Sequence, residues 1–241
     1  MKKIIYFLIF TISFPSILMA QGGKPHVKIF SNFNYDISNN NSDKYDLLCA
    51  YGVKSFIKSS ENSLKKLDNF FELKKDWLFG YMTYDLRNEI EVLNDDNIDF
   101  INMPNLYFFQ PEIVWFVKGK NVTGLSFEKD LIDNDWKKFN EISEKEKTEN
   151  SNIVKLNLRN SKSEYINKVN KIKERIFRGD CYEMNFCFDL FSEYDEINPY
   201  DTYVKLNNYT KSPMSSFLKA NDLFLISSSP ERFLSKNGED I

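Results

Sequence analysis

Histidine is almost missing from this chain of 241 residues, with His26 the one imidazole, and cysteine is scarce, at Cys49, Cys181 and Cys187 alone. The thiol count is odd and no CxxC or HExxH spacing occurs, so zinc sites, disulfide scaffolds and Ser-His or Cys-His catalysis lose the residues they need. A metal here would have to be a hard cation held by carboxylates. Positive charge is not in excess either. Against 35 acidic side chains stand 32 basic ones, a net charge of −3, and phosphate backbones demand a basic field that this balance does not supply. Nucleic acid is not expected as a partner. Long apolar runs are missing too: the stretch from Ile4 to Phe14 falls short of the roughly 20 residues that cross a bilayer, so no membrane span is expected. What is present suffices for a packed core, since 42% of the residues are hydrophobic and 28% charged, a balance unlike that of disordered chains.

Residues 1–20 support two readings. Lys2 and Lys3, the apolar run Ile4 to Phe14 and Ala20 have the layout of a secretory signal. Pro15 and Ser16 break the run, Leu18 stands where a small residue is preferred, and no disulfide-ready cysteine set follows. The alternative is a first strand and helix of a cytosolic fold.

Further along, His26 to Phe30 reads as a strand and Ser31 to Asp43, rich in Asn and Ser, as a loop. Lys44 to Gly52 turns apolar again. Trp77 to Leu86 is dominated by aromatic and large apolar residues, which suits a strand buried on both faces. Leu106 to Phe109, Glu112 to Val117 and Val122 to Phe127 read as strands, the last two joined as a hairpin through Lys118-Gly119-Lys120-Asn121. Glu128 to Asn152 switches to mixed charge with few apolar residues. It reads as a surface helix running into a linker, and so as a domain boundary.

After the linker, Ser161 and Glu164 form a capping-box pattern, and Tyr165, Val169, Ile172 and Ile176 make one apolar stripe on a helix that Gly179 stops. The next residues alternate: Tyr182, Met184, Phe186, Phe188 and Leu190 on one face, Glu183, Asn185, Cys187 and Asp189 on the other. That predicts a strand whose polar face either meets water or lines a polar cavity. Ser216 to Leu218 and Leu223 to Ile226 read as a second hairpin around Ala220-Asn221-Asp222. Ser229-Pro230-Glu231 has the order of a helix N-cap, a first-turn Pro and an acid near the positive helix end. Asn237-Gly238 is a further hairpin signal, and the chain ends as its returning strand begins. An isolated hairpin arm is marginal in water, so the polypeptide is expected to stop inside a fold.

The segment Gly179-Asp180-Cys181-Tyr182-Glu183-Met184-Asn185 resembles the "GD-x-Y-(Q/E)-x-N" motif of chorismate-utilising enzymes, and it follows the family's Glu-Tyr-Ile helix at Glu164 to Ile166. Ser229-Pro230-Glu231-Arg232-Phe233 resembles the family's "SPER-F" segment. Trp77 to Asp85 is similar to its "W-x-GY-x-x-YD" strand, Lys44 to Ala50 to its "(R/S)-YD-x-x-x-A" segment, and Ser212-Pro213-Met214 to its "(S/A)-P-(Y/F/M)" element. Order and spacing hold from about residue 27 onward. The wording Cys-Tyr-Glu-Met-Asn-Phe-Cys at 181–187 looks most like the aminodeoxychorismate synthase component I branch, with anthranilate synthase component I the close alternative.

The resemblance implies an α+β fold of layered antiparallel β-sheets with outer helices, incomplete at the C-terminus: an N-terminal domain over 1–152 and the start of a chorismate-binding domain over 153–241. It implies chorismate as substrate, Mg²⁺ as cofactor, a glutamine amidotransferase subunit supplying ammonia, and 4-amino-4-deoxychorismate, a precursor of 4-aminobenzoate and folate, as product. A cytosolic pathway in turn favours the strand-and-helix reading of the N-terminus and a cytoplasmic protein. Ser31, Tyr45, Pro213 and Met214 fall where the family forms an amino-acid pocket, occupied by tryptophan in some members. Ordinary core is the alternative for Pro213 and Met214. Asp180, Glu183, Asn185, Glu231 and Arg232 would line the substrate cavity, or, for the first three, hydrogen-bond to position their strand. The family's acidic pair with its adjacent His, and the Gly-rich turns that follow "SPER-F", are not in this sequence, so no residue is assigned as catalytic or as a metal ligand. A non-catalytic binding protein, secreted if the signal reading holds, is the alternative from another class.

Overall fold

The computed structural model describes residues 4–7, 27–32, 45–91, 93, 98–141, 154–193 and 197–234. In chain order the elements are β1 (Ile4–Phe7), β2 (Val27–Asn32), β3 (Leu47–Tyr51), β4 (Ser55–Ser59), α1 (Ser63–Lys74), β5 (Phe79–Met82), β6 (Leu106–Gln110), β7 (Ile113–Lys118) and β8 (Asn121–Ser126). Then come α2 (Lys129–Glu141), β9 (Asn157–Leu158), α3 (Lys162–Phe177), β10 (Leu190–Glu193), α4 (Pro199–Thr210), β11 (Met214–Ala220) and β12 (Leu223–Ser229). They group into two compact units, one of Met1–Phe10 with Thr148–Asn198 and the other of Thr11–Lys147 with Pro199–Ile241. The fold is α+β, and every strand pair is antiparallel.

The larger unit is built on two sheets, one of six strands in the order β12-β11-β2-β3-β7-β8 and one of three in the order β4-β6-β5. Because β2 pairs with both β3 and β11, segments from either side of position 152 share one sheet. Cross-strand partners lie on one face and successive residues on opposite faces, so the register assigns the faces. Leu48, Ala50, Val114, Leu218 and Leu225 share a face, and they pack with Phe79, Leu106 and Phe109 of the smaller sheet. Those last three are fully buried, each contributing about 1.5–3 kcal/mol by transfer from water. Helices cover the opposite face. Trp115 on β7 meets Trp136 at 5.7 Å and Phe139 at 6.0 Å on α2, and Asp135 accepts from its indole N–H at 2.7 Å and from the Tyr51 hydroxyl. Gly124 lies across from Trp115 on β8, where a Cβ would come within 2.5 Å of the indole ring, so only glycine leaves room. Over β11, Tyr203 and Tyr200 of α4 lie 5.6 and 5.9 Å from Phe217, and Ser215 Oγ donates to the Tyr203 hydroxyl.

Both expected hairpins form, turning through Gly119 at φ 58° and Asn221 at φ 55°. The aromatic run at Trp77 to Leu86 is a strand only over Phe79–Met82, after which the chain winds into a 3-10 turn at Tyr84–Glu89. That turn carries Glu89 back to α1. Asn62, before the helix, has φ 51° and makes no side-chain cap. Glu89 caps the helix instead, accepting from Ser63 N–H at 2.5 Å, from Ser63 Oγ at 2.6 Å and from Asn105 Nδ2 at 3.4 Å. Ser229 also departs from expectation. Its Oγ accepts from Glu231 N–H at 3.3 Å and donates to the Glu231 carbonyl at 2.8 Å, a local turn that takes the place of a helix start. Ser31 and Asn32 belong to β2 and not to the loop predicted for them. The N-terminal helix of the cytosolic reading and the Asn237-Gly238 hairpin lie outside the described residues.

In the smaller unit, α3 begins with the expected capping box: Ser161 Oγ accepts from Glu164 N–H at 3.2 Å and the Glu164 carboxylate accepts from Ser161 N–H at 2.7 Å. A three-stranded sheet of order β1-β10-β9 accompanies it, with Ile4 opposite Glu193 and Phe7 opposite Leu190. The alternating run after Gly179 is not a strand until Leu190; residues 183–189 are irregular. Alternation becomes a strand only where a partner supplies a ladder, and among the described residues β1 and β9 supply one to β10 alone. Side chains hold the irregular stretch. Phe186 and Phe188 meet the Tyr165 ring of α3 at 5.4 and 5.6 Å, and Asp189 pairs with Arg159, whose guanidinium lies 4.4 Å over Phe191. Among the described residues, no helix is long and apolar enough to cross a membrane.

Burial by itself would raise the Glu89 pKa, but its hydrogen bonds from Ser63 and Asn105, with Lys66 nearby, hold it below the ordinary value. A lowered folded-state pKa means that the contribution is complete above the unfolded value near 4.5 and fades as pH falls through the folded one. Glu89→Gln is expected to cost about 1–2 kcal/mol in denaturant melts near pH 7. The gap from the parent should close in acid, and an undiminished gap at about pH 3 would contradict this account. Arg159→Leu is expected to speed hydrogen exchange over residues 183–189 by about tenfold while α3 stays protected; unchanged exchange would mean that the ion pair does not hold the segment.

Candidate functional site

Ser31 stands on β2 opposite Leu48 of β3 and Ser216 of β11. Extended across the sheet, that row reads Ser227, Ser216, Ser31, Leu48, Phe116 and Thr123. It lies one row beyond Leu225, Leu218, Ala50 and Val114 on the face that meets the smaller sheet. The Tyr45 ring closes on this end, 4.8 Å from Phe116 and 6.0 Å from Trp77, and Trp77 stacks on Phe79 at 5.9 Å. Asp46 fixes the approach of Tyr45 by accepting from Lys118 Nζ at 2.9 Å and from Gly119 N–H at 2.6 Å, contacts that hold its carboxyl below the usual range. Met214, two residues before Ser216 and on the same face, sits opposite Ser229, and Pro213 beside it is buried. Four residues from three distant segments therefore reach one end of one sheet.

This arrangement has an apolar and a polar half. Tyr45, Phe116 and Trp77 supply aromatic surface. Ser216 and Ser227 are half-buried, and their hydroxyls make no hydrogen bond among the described residues. Strands lie about 4.8 Å apart, so Ser31 and Phe116, two strands distant, are separated by about 10 Å, the reach of an aromatic amino acid. Such a site can bind and orient. Burial raises the pKa of Tyr81 and pushes that of Tyr107 up to about 12, so both hydroxyls stay protonated. Sequence reasoning placed Trp77 and Phe116 in strands without assigning them to the pocket, because only the register brings them beside Tyr45.

The second set of residues is divided between the units. Asp180 is bound to the end of α3, with its carboxylate 3.0 Å from Arg175 and 3.4 Å from Arg178. Glu183 and Asn185 lie in the irregular stretch and are exposed. In the larger unit, Glu231 is exposed and Arg232 half-buried, both just past the Ser229 turn. Among the described residues, no three His, Cys, Asp or Glu side chains converge to hold a cation, so these residues do not on their own build a carboxylate cradle for Mg²⁺.

A family model described as chorismate binding enzyme matches residues 14–241. Aminodeoxychorismate synthase component 1 of Escherichia coli is 27% identical over 81 residues, which is 34% of this chain and 18% of that protein. The protein of the same name from Salmonella typhimurium is 31% identical over 74 residues, 31% of this chain and 16% of its own length. An anthranilate synthase component I-like protein of Synechocystis sp. is 24% identical over 190 residues, 73% of this chain and 37% of that protein. The chain thus spans well under half the length of these curated relatives. With nearly every residue inside the family match, and with that match running through both sheets of the larger unit and the capped helix of the smaller one, the chain belongs to the chorismate binding enzyme family.

Proposed function

We propose that the protein serves an aminodeoxychorismate synthase component I reaction, the amination of chorismate to 4-amino-4-deoxychorismate, and that it acts in the cytoplasm. The observation that carries this reading is the local similarity to two relatives named aminodeoxychorismate synthase component 1, at 27% and 31% identity. In this reading Glu231 and Arg232 contribute to the wall of the substrate cavity. Arg232 supplies a fixed positive donor for a dianionic substrate. Mg²⁺ and a glutamine amidotransferase partner complete the reaction. Anthranilate formation is the second reading, favoured by the wider span of the Synechocystis match, 73% of this chain.

Ser31, Tyr45, Pro213 and Met214 form an amino-acid pocket in this proposal, with tryptophan its occupant. The support is that Ser216 and Ser227 share a sheet row with Phe116, whose ring meets Tyr45, with Trp77 beside it. A ligand that binds only the folded protein stabilises it by about 2.7 kcal/mol at a hundredfold excess over Kd. Tryptophan is expected to raise the melting temperature, and Tyr45→Ala to abolish the rise; a parent protein indifferent to tryptophan would remove the pocket from the proposal.

Product chemistry tests the reaction. The full-length gene product is incubated with chorismate, ammonium and Mg²⁺, and the products are separated by liquid chromatography. The expected result is 4-amino-4-deoxychorismate. Fluorescent anthranilate in its place would shift the assignment to the second reading, and chorismate left unaltered would refute both.

A further inference from the structure

Gln110 ends β6 as a buried amide, 5% exposed, at a position where its neighbours Phe108 and Phe109 are core. A buried amide is costly unless its groups are paired, and this one is paired on both sides. Its Oε1 accepts from Ser55 Oγ at 2.9 Å, and its Nε2 donates to Asp76 Oδ2 at 2.6 Å, while its main-chain carbonyl accepts from Lys54 N–H at 2.9 Å. Strand β4 thus clamps the amide and the amide clamps Asp76. That carboxylate sits at the exit of α1, between Lys75, which has the left-handed φ of 47°, and Trp77. This contact ties the residue before the indole to the end of β6, beside the Lys75 N–H bond to the Phe71 carbonyl at 2.7 Å that closes the helix.

Trp77 is the link between the buried core and the Tyr45 site. Its ring stacks nearly parallel on Phe79, at 5.9 Å and 14°, and lies 6.0 Å from Tyr45 at 50°. It is half-buried, so it is held by the core on one side and retains accessible ring surface. A fixed indole with free surface beside another aromatic ring favours a ligand that can stack over one that is merely apolar, by an amount beyond area burial.

We infer that Trp77 determines the selectivity of the Tyr45 site for aromatic over aliphatic amino acids, and that Gln110 is the positioning residue that holds Trp77 through Asp76. The inference rests on the amino-acid pocket proposed above. Its test is calorimetric titration of the full chain with tryptophan and with leucine, in the parent and in Trp77→Leu, Gln110→Ala and Asp76→Asn. Asparagine retains an oxygen that can accept from Gln110, so it is the conservative variant. The expected result is a ratio of tryptophan to leucine affinity that falls about tenfold in Trp77→Leu. It falls several-fold in Gln110→Ala and is largely kept in Asp76→Asn. A purely structural role for Gln110 would weaken both ligands together and leave the ratio unchanged, which would overturn the positioning claim. An unchanged ratio in Trp77→Leu would overturn the selectivity claim while the pocket itself survived. A parent that binds neither amino acid would instead defeat the pocket reading, and the inference with it. Should Gln110→Ala fail to fold, Ser55→Ala loosens the same amide from its far side and carries the same expectation.

Discussion

The burial of Phe79 and Phe109, partners on one face of the smaller sheet, in the core shared with the six-stranded sheet is the contact on which the larger unit depends. The register puts Leu106 on the other face of β6, so the small sheet is buried on both sides. The same contact reaches outward through Trp77, which extends the aromatic stack from Phe79 to Tyr45 and Phe116. The candidate binding site is therefore the rim of the core, where apolar packing gives way to a row of serines. Placing a site at such a rim has a physical economy: the walls are already rigid, so a ligand has little ordering left to impose on them.

Polar contacts with long reach refine this scaffold. Glu89 closes the start of α1 from the far end of a 3-10 turn, Asp135 ties α2 to both Tyr51 and Trp115, and Asp46 anchors the segment before β3 to the β7–β8 turn. In each case one carboxylate accepts from two or more donors elsewhere in the sequence. Such groups matter because a donor taken out of water is costly unless it is paired.

What could be read from the sequence follows the range of the interactions involved. The capping box at Ser161 and Glu164 and the two hairpins were legible because their determinants lie within a few residues. The chorismate-binding motifs were legible for the same reason. Residues 183–189 were not: their alternation is that of a strand, yet they are irregular and among the described residues no ladder partner stands opposite them. Ser229 has the residue type of a helix cap but spends its hydroxyl on Glu231. Trp77 belonged to a motif, yet nothing local to it announces Tyr45, which lies 32 positions earlier in the chain. Register decided what spacing could not.

Strand β2 occupies an interior place in the large sheet, between β3, which follows it closely, and β11, which is made much later. During synthesis on the ribosome, the nascent chain can zip β2 to β3 early, but the other border of β2 stays unpaired until residue 220 has emerged. Until then the growing protein carries an open β edge that could recruit a neighbouring chain, so a stall before β11 would expose a species primed for aggregation.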